Sequence, residues 1–316
     1  MISCSSLQTT KKRNKLMKNS NWTTENIPDQ TGRITIVTGS NSGIGFEAAK
    51  VLAAKGADVV LAVRNQEKGD QAKAEIIKGH AQAKVTVSLL DLSSLKSVKA
   101  FSEEFANTHT QLDLLINNAG IMIPPYGKTE DGFESQMGTN HLGHFALTAQ
   151  LFPLLKNTRD SRIVNVSSTA HNMGSIDFDD LQWESRKYVA WKAYGDSKIA
   201  NLYFTNELGK RMKAAGLTVT TTAAHPGYAA TGLQKGIFLK FLNVIVAQSG
   251  FMGATPTLMA AIDPEASSGD FYGPSGIAQQ RGWPKQVVPN KLPQDDDIAK
   301  KLWSISEELT AQPFNI

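Results

Sequence analysis

From Arg33 onward, short β-branched or apolar runs alternate with helical stretches, and this alternation restricts the fold more than any other feature of the chain. Residues 34–38 form the first run and lead into Gly39-x-x-x-Gly43-x-Gly45. A helix over 46–55 follows and ends at Gly56, where a left-handed C-terminal residue is easily supplied. Further strands are predicted at 59–63, 85–90, 112–117, 162–167 and 219–224, with a short seventh at 269–272. Helices are predicted at 66–78, 95–107 and 132–155, and another carries Tyr194 and runs to about Ala214. Short strands alternating with helices imply an α/β fold, a doubly wound, Rossmann-like parallel sheet of about seven strands with helices on both faces. Ligands of such sheets bind outside the carboxyl ends of the strands. No repeat or Pro/Gly/Ser-rich linker divides the chain, so residues 31–316 are expected to form one domain behind a tail at 1–30.

Charge excludes one class of partner. The net charge of +4 comes largely from Lys11, Lys12, Arg13, Lys15 and Lys18, with no acid before Glu25. The remainder is near neutral, which gives no basic surface for nucleic acid. Cys4 is the single cysteine, so no internal disulfide can form. No apolar run reaches the roughly 18 residues of a membrane span, and the N-terminus lacks a secretory apolar core. A cytoplasmic location is expected. The Ser/Thr/Lys-rich start leaves three readings open: an organellar transit peptide, a disordered tail, or a true start at Met17.

The glycine loop joins a strand to a helix. A helix N-terminus offers free N–H groups and partial positive charge, and glycines let backbone approach phosphates closely. Gly39, Ser40, Asn41, Ser42, Gly43, Ile44 and Gly45 are therefore the expected cradle of a dinucleotide pyrophosphate. The second strand ends at Val63-Arg64 with no acid to bind ribose hydroxyls. A guanidinium there can grip a 2′-phosphate, so NADP(H) is favoured over NAD(H), unless Arg64 is a surface residue alone. Asp91, with Leu92 beside it, ends the third strand and could bond an adenine amine. It could equally cap the next helix, as could Ser93 or Ser94.

Tyr194-Gly195-Asp196-Ser197-Lys198 places a phenol and an ammonium on one helix face. The cation favours phenolate and should lower the Tyr194 pKa. Beside a dinucleotide, this pair suggests hydride transfer with tyrosine as the proton partner.

These motifs stand in order with Asn117-Asn118-Ala119-Gly120, Asn140, Ser168 and Pro226-Gly227. As a set, over about 32–232, they resemble the short-chain dehydrogenase/reductase family. The stretch Thr139-Asn140-His141-Leu142-Gly143-His144-Phe145 resembles its branch of retinol dehydrogenases, WW-domain oxidoreductase and protochlorophyllide reductase. The resemblance implies that Tyr194 is general acid or base, that Lys198 binds the nicotinamide ribose, and that Ser168 bonds the substrate oxygen. It implies that Asn140 holds a water relaying protons to Lys198. Asn118, Ala119 and Gly120 would line the cofactor, with Pro226, Gly227 and Thr231 around the nicotinamide amide. Two hydroxyl donors aimed at a carbonyl oxygen suit the negative charge that hydride addition creates there. Cys4 lies far from the fold, which disfavours the photoenzyme, and the tail's single Trp22 is too little for a WW module.

Between Ser168 and Tyr194 lie 25 residues, including Trp183, Tyr188 and Trp191, expected to wall the site. The apolar segment 236–247 falls in a region, about 229–260, that the resemblance makes a substrate lid. An apolar ketone, aldehyde or alcohol would fit it. A subunit contact or a membrane-surface helix are the other readings of this segment. The resemblance also suggests a homodimer or homotetramer paired through the Tyr194 helix and the helix before it. His141, His144 and His225 have no acidic or cysteine partner at ligand spacing, so no metal is expected. The competing function is an NADP(H)-binding sensor or scaffold without turnover.

Overall fold

The computed structural model describes residues 22–227, 249–289 and 295–316. Strands β1 (Ile34–Thr38), β2 (Asp58–Val63), β3 (Lys84–Leu89), β4 (Leu114–Asn117), β5 (Arg162–Val166), β6 (Thr220–Ala224), β7 (Phe271–Pro274) and β8 (Pro284–Val287) form one sheet. Its order is β3-β2-β1-β4-β5-β6-β7-β8. Every pair is parallel except β7–β8. The α/β parallel fold is thus observed, with an eighth, antiparallel strand at the edge. That strand is Pro-Lys-Gln-Val, too short and polar to stand out in the sequence. Its proline sits where an edge tolerates a missing N–H.

The helices are α1 (Gly43–Ala54), α2 (Gln66–Gly79), α3 (Leu95–Thr108), α4 (Gly143–Asn157), α5 (Ala190–Ala214), α6 (Gly250–Ile262) and α7 (Asp296–Thr310). Strand alternation sorts them. Val37, Val59, Leu61 and Ile116 face α1, α2 and α6, while Ile36, Val60, Ala62 and Leu115 face α3, α4 and α5. Burying both faces explains why the strands read as continuous apolar runs. Residues 250–260, placed by the sequence reading in the lid, begin α6, which packs on α1 and the sheet. The rest of the lid, from 229 to 248, and Thr231 lie outside the described residues. Among the described residues, no helix is long and apolar enough to cross a membrane.

Helix α7 lies across α4 and α5. Trp303 meets Phe145 edge-on at 5.2 Å and Phe314 at 4.8 Å, and the Arg211 guanidinium sits 4.4 Å over its ring. Helix α7 therefore packs on the two helices expected to pair subunits.

Candidate active site

The sheet reverses its winding at β1, between β2 and β4, and a cleft of about 490 Å³ opens at the carboxyl ends of these strands. Gly39, Asn41, Ser42, Gly43, Ile44 and Gly45 form one side. Helix α1 begins at Gly43, three residues earlier than the apolar pattern indicated, so its first N–H groups belong to the cleft. Gly39 has φ +66°, and a Cβ there would stand 2.9 Å from Ala119 Cα. A Cβ on Gly45 would stand 2.3 Å from Asn118 Nδ2. The loop is thus pressed against Asn118-Ala119-Gly120, which lines the opposite side. Ser40 differs from expectation: it is buried, and its hydroxyl donates to the Val37 carbonyl at 2.8 Å, turned away from the cleft.

Arg64 stands at one end of the cleft, and Asp91 and Leu92 line it after β3. Asp91 Oδ1 accepts from the Ser93 N–H at 2.9 Å and hydroxyl at 2.6 Å, while Ser94 caps α3. Pro226 lines the cleft after β6, but Gly227 does not; its N–H donates back to His225 Nδ1 at 3.2 Å.

Tyr194 and Lys198 reach the cleft from α5. Both are almost fully buried. Burial pushes the Tyr194 phenol up to about 12, against a smaller opposing pull from the Ser168 hydroxyl within hydrogen-bonding reach. Burial also pushes the Lys198 ammonium down to about 8. The expected lowering of Tyr194 by Lys198 is not the dominant effect here. The ammonium donates to the Val166 carbonyl at 3.1 Å and stands 5.7 Å from the Tyr194 ring centroid. Ser167 and Ser168 have different surroundings: Ser167 donates to the Lys198 carbonyl at 2.8 Å, whereas Ser168 neighbours Tyr194. Ser168 also caps the 3₁₀ turn Thr169–Met173 by accepting from Ala170 N–H. Asn140 is fully buried in a π-helical turn, Gly138–Leu142. Its side chain accepts from Ile121 N–H at 2.8 Å and donates to the Ile121 carbonyl at 3.0 Å and to Ser197 Oγ at 2.9 Å.

The family model for short chain dehydrogenase matches residues 33–240. Retinol dehydrogenase 12 of Mus musculus is 42% identical over 284 residues, covering 88% of this chain and 86% of its own. Retinol dehydrogenase 13 of Homo sapiens is 40% identical over 290 residues, covering 88% and 84%. The chain belongs to the short-chain dehydrogenase family. It is an oxidoreductase of alcohol or carbonyl groups. A crystal structure of an uncharacterised protein from Mycobacterium paratuberculosis superposes on this dehydrogenase with TM-score 0.80 and 41% identity. That match covers 94% of this chain and 100% of the other. The Pseudomonas aeruginosa RhlG/NADP active-site complex shares the fold at TM-score 0.61 and 23% identity, covering 76% and 94%.

Eight lining residues of the dehydrogenase were not among the expected site residues: Thr38, Ala62, Lys68, Leu90, Ile121, Thr139, Val166 and Ser167, the last in place of Ser168. Lys68 had a signal. Asn65 caps α2 by accepting from the Lys68 N–H at 2.9 Å, which puts Arg64 and Lys68 one helical turn apart. Thr38 is a second omission. Its Oγ1 accepts from both the Asn118 and Ala119 N–H groups at 2.9 Å and stands 2.9 Å from His144 Nε2. His144 Nδ1 stands 3.0 Å from the Asn140 carbonyl, which can only accept, so Nδ1 carries the proton. Burial pushes this ring down to about 3, so it is neutral and Nε2 accepts from the Thr38 hydroxyl. His141 instead meets Ser306 on α7 at 3.0 Å, and His225 meets Gln279 at 2.9 Å.

Proposed function

We propose that this dehydrogenase uses NADP(H) to interconvert an apolar ketone or aldehyde and the matching alcohol, with Tyr194 as the proton partner. The carrying observation is one cleft lined by Tyr194 and Lys198 at the end of β5 and, three strands away, by two cations, Arg64 and Lys68, after β2. The glycine cradle fits a pyrophosphate because a Cβ at Gly39 or Gly45 would collide with Ala119 or Asn118. Neither Arg64 nor Lys68 forms an ion pair among the described residues, which leaves both cations for a 2′-phosphate.

When bound, the nicotinamide supplies the hydride. Tyr194 Oη, kept protonated at neutral pH by burial, donates its proton to the carbonyl oxygen. Ser168 Oγ donates a second hydrogen bond to that oxygen and stabilises its developing charge. Lys198 remains largely cationic below about pH 8, where it favours the tyrosinate left behind. Asn140 holds Ile121, which lines the cleft beside them. Residues 31–316 serve as one catalytic unit in this reading. The similarity to retinol dehydrogenases supports a hydrophobic substrate.

The test is Tyr194→Phe assayed with NADPH and a panel of apolar carbonyls. NADPH binding should stay within about twofold while turnover falls at least about 10²-fold. Retained turnover would overturn the role of Tyr194. Tight NADPH binding by the wild-type protein without oxidation on any carbonyl would favour a cofactor sensor.

A further inference from the structure

Glu134 and Gln136 are charged or polar, yet fully buried. They belong to no part of the chemistry above. Glu134 Oε2 accepts from the Met137 N–H at 2.7 Å, and its Oε1 accepts from the Tyr188 hydroxyl at 2.9 Å. The Glu134 N–H donates to Gln182 Oε1 at 2.6 Å. Gln136 Nε2 donates to the same Tyr188 oxygen and to the Ala190 carbonyl, each at 2.9 Å. Tyr188 and Gln182 come from the segment between Ser168 and Tyr194, and Ala190 begins the helix that carries Tyr194. Gln136 Oε1 meanwhile accepts from the Ile123 N–H at 2.9 Å.

This last bond pairs Gln136 with Asn140. Asn140 holds Ile121, and Gln136, four residues earlier, holds Ile123. Ile123 has φ +56°, a conformation that a β-branched residue adopts only when its surroundings enforce it. Ile121 lines the cleft directly after Asn118-Ala119-Gly120. The wall is ordered on its own side too. Trp183 has φ +57°, stacks under the Arg186 guanidinium at 3.7 Å, and meets Tyr188 edge-on at 5.5 Å.

We propose that Glu134, Gln136 and Tyr188 form a latch that locks segment 175–190 to segment 121–123. Gln136 is then a positioning residue for the carbonyl substrate. The geometry of the latch stands on its own; its effect on substrate rests on the function proposed above. Gln136 acts through Ile123 and the wall, not on the cofactor.

Two variants, Gln136→Leu and Tyr188→Phe, test the latch by amide hydrogen exchange and by steady-state kinetics with NADPH and an apolar carbonyl. Exchange at Ile123 and across 182–188 should rise about 10-fold in Gln136→Leu and less in Tyr188→Phe. KM for the carbonyl should rise about 3- to 10-fold, the equivalent of one net hydrogen bond, while the Kd for NADPH stays within about twofold. Unchanged exchange at Ile123 overturns the latch. Equal shifts in KM and NADPH Kd overturn its substrate-side role, because general loosening would move both. Should Gln136→Leu fail to fold, Tyr188→Phe removes one oxygen only and carries both readouts. Should the wild-type protein reduce no carbonyl, the functional reading fails, and hydrogen exchange still decides the latch.

Discussion

Replacing Thr38 by valine should injure this protein far more than its one-atom chemistry suggests. Thr38 is fully buried, and valine keeps its shape. The change removes one oxygen that accepts two backbone N–H bonds and donates a third to His144. A buried polar group left unpaired costs about 1–3 kcal/mol; the Ala119 N–H and His144 Nε2 lose their partner while the Asn118 N–H keeps the Ile116 carbonyl at 3.0 Å, so two groups set a range of about 2–6 kcal/mol. Asn118 and Ala119 are half-buried at the cleft wall, where water can reach a displaced amide. That places the expected loss in the lower part of the range, about 2–4 kcal/mol. Thr38→Ser is the control: it keeps the oxygen and removes one methyl, costing about 1 kcal/mol.

The assay is reversible urea unfolding followed by circular dichroism, with an NADPH titration on each variant. Thr38→Val should lower the midpoint without changing the slope and should weaken NADPH binding, because Asn118-Ala119-Gly120 lines the cleft. Thr38→Ser should bind NADPH like the wild type. A valine variant within about 1 kcal/mol of the wild type would refute the network, as would a serine variant that loses as much.

Other outcomes follow from the same geometry. Arg64→Ala and Lys68→Ala should each weaken NADPH binding about 5- to 10-fold and leave NADH within about twofold, read by nicotinamide fluorescence; equal losses for both cofactors would refute the 2′-phosphate assignment. The kcat/KM for NADPH should be flat from about pH 6 to 7 and fall through about pH 8, because Lys198, depressed to about 8, loses its charge around that value. Tyr194, raised to about 12, stays protonated over this range, so a profile flat to about pH 10 would count against the role of Lys198. Gly45→Ala should cost about 1–3 kcal/mol, since its Cβ would lie 2.3 Å from Asn118 Nδ2 and 2.8 Å from the Gly39 carbonyl oxygen; an unchanged melting temperature would refute that close packing.

The sheet was legible because burial on both faces leaves apolar runs such as Ile34–Thr38 and Asp58–Val63 between turn residues. The edge was not. β8 pairs on one side only and buries only its two ends, so nothing forces its sequence to look like a strand. Helix α6 opens Gly-Phe-Met-Gly-Ala-Thr-Pro, whose two glycines and proline disfavour a helix that tertiary packing imposes. Ordered motifs located the cleft, but not which side chains face it. Ser40 looked like its neighbours in the loop, and only the three-dimensional turn shows its hydroxyl returning to Val37. Lys68 is not legible from the strand end alone, although the Asn65 cap places it one turn on. The balance between burial and Lys198 at Tyr194 depends on depth, which a spacing of four residues does not reveal.

Apolar burial alone does not determine where α5 sits along the sheet, since it is non-directional. A chain of buried polar contacts supplies that registration. Asn117 on β4 donates to Thr148 on α4 at 3.0 Å and to Asn165 on β5 at 2.8 Å, and Asn165 donates to Thr205 on α5 at 3.0 Å. Nearer the cleft, Thr38 on β1 joins His144, whose ring meets the Asn140 carbonyl, and Asn140 donates to Ser197 on α5. The Val166 carbonyl at the end of β5 then accepts from both Lys198 at 3.1 Å and Asn201 at 3.2 Å. A slip of α5 by one residue would break the bonds that end on it, those of Thr205, Ser197, Lys198 and Asn201, leaving buried polar groups unpaired at about 1–3 kcal/mol each. The same contacts that hold Thr38 to Asn118-Ala119 therefore reach, through His144 and Asn140, to the helix carrying Tyr194 and Lys198. Rigidity of this seam places Tyr194 and Lys198 at a fixed distance from the glycine loop, a requirement for any reaction in which the protein supplies orientation and a bound cofactor supplies the chemistry.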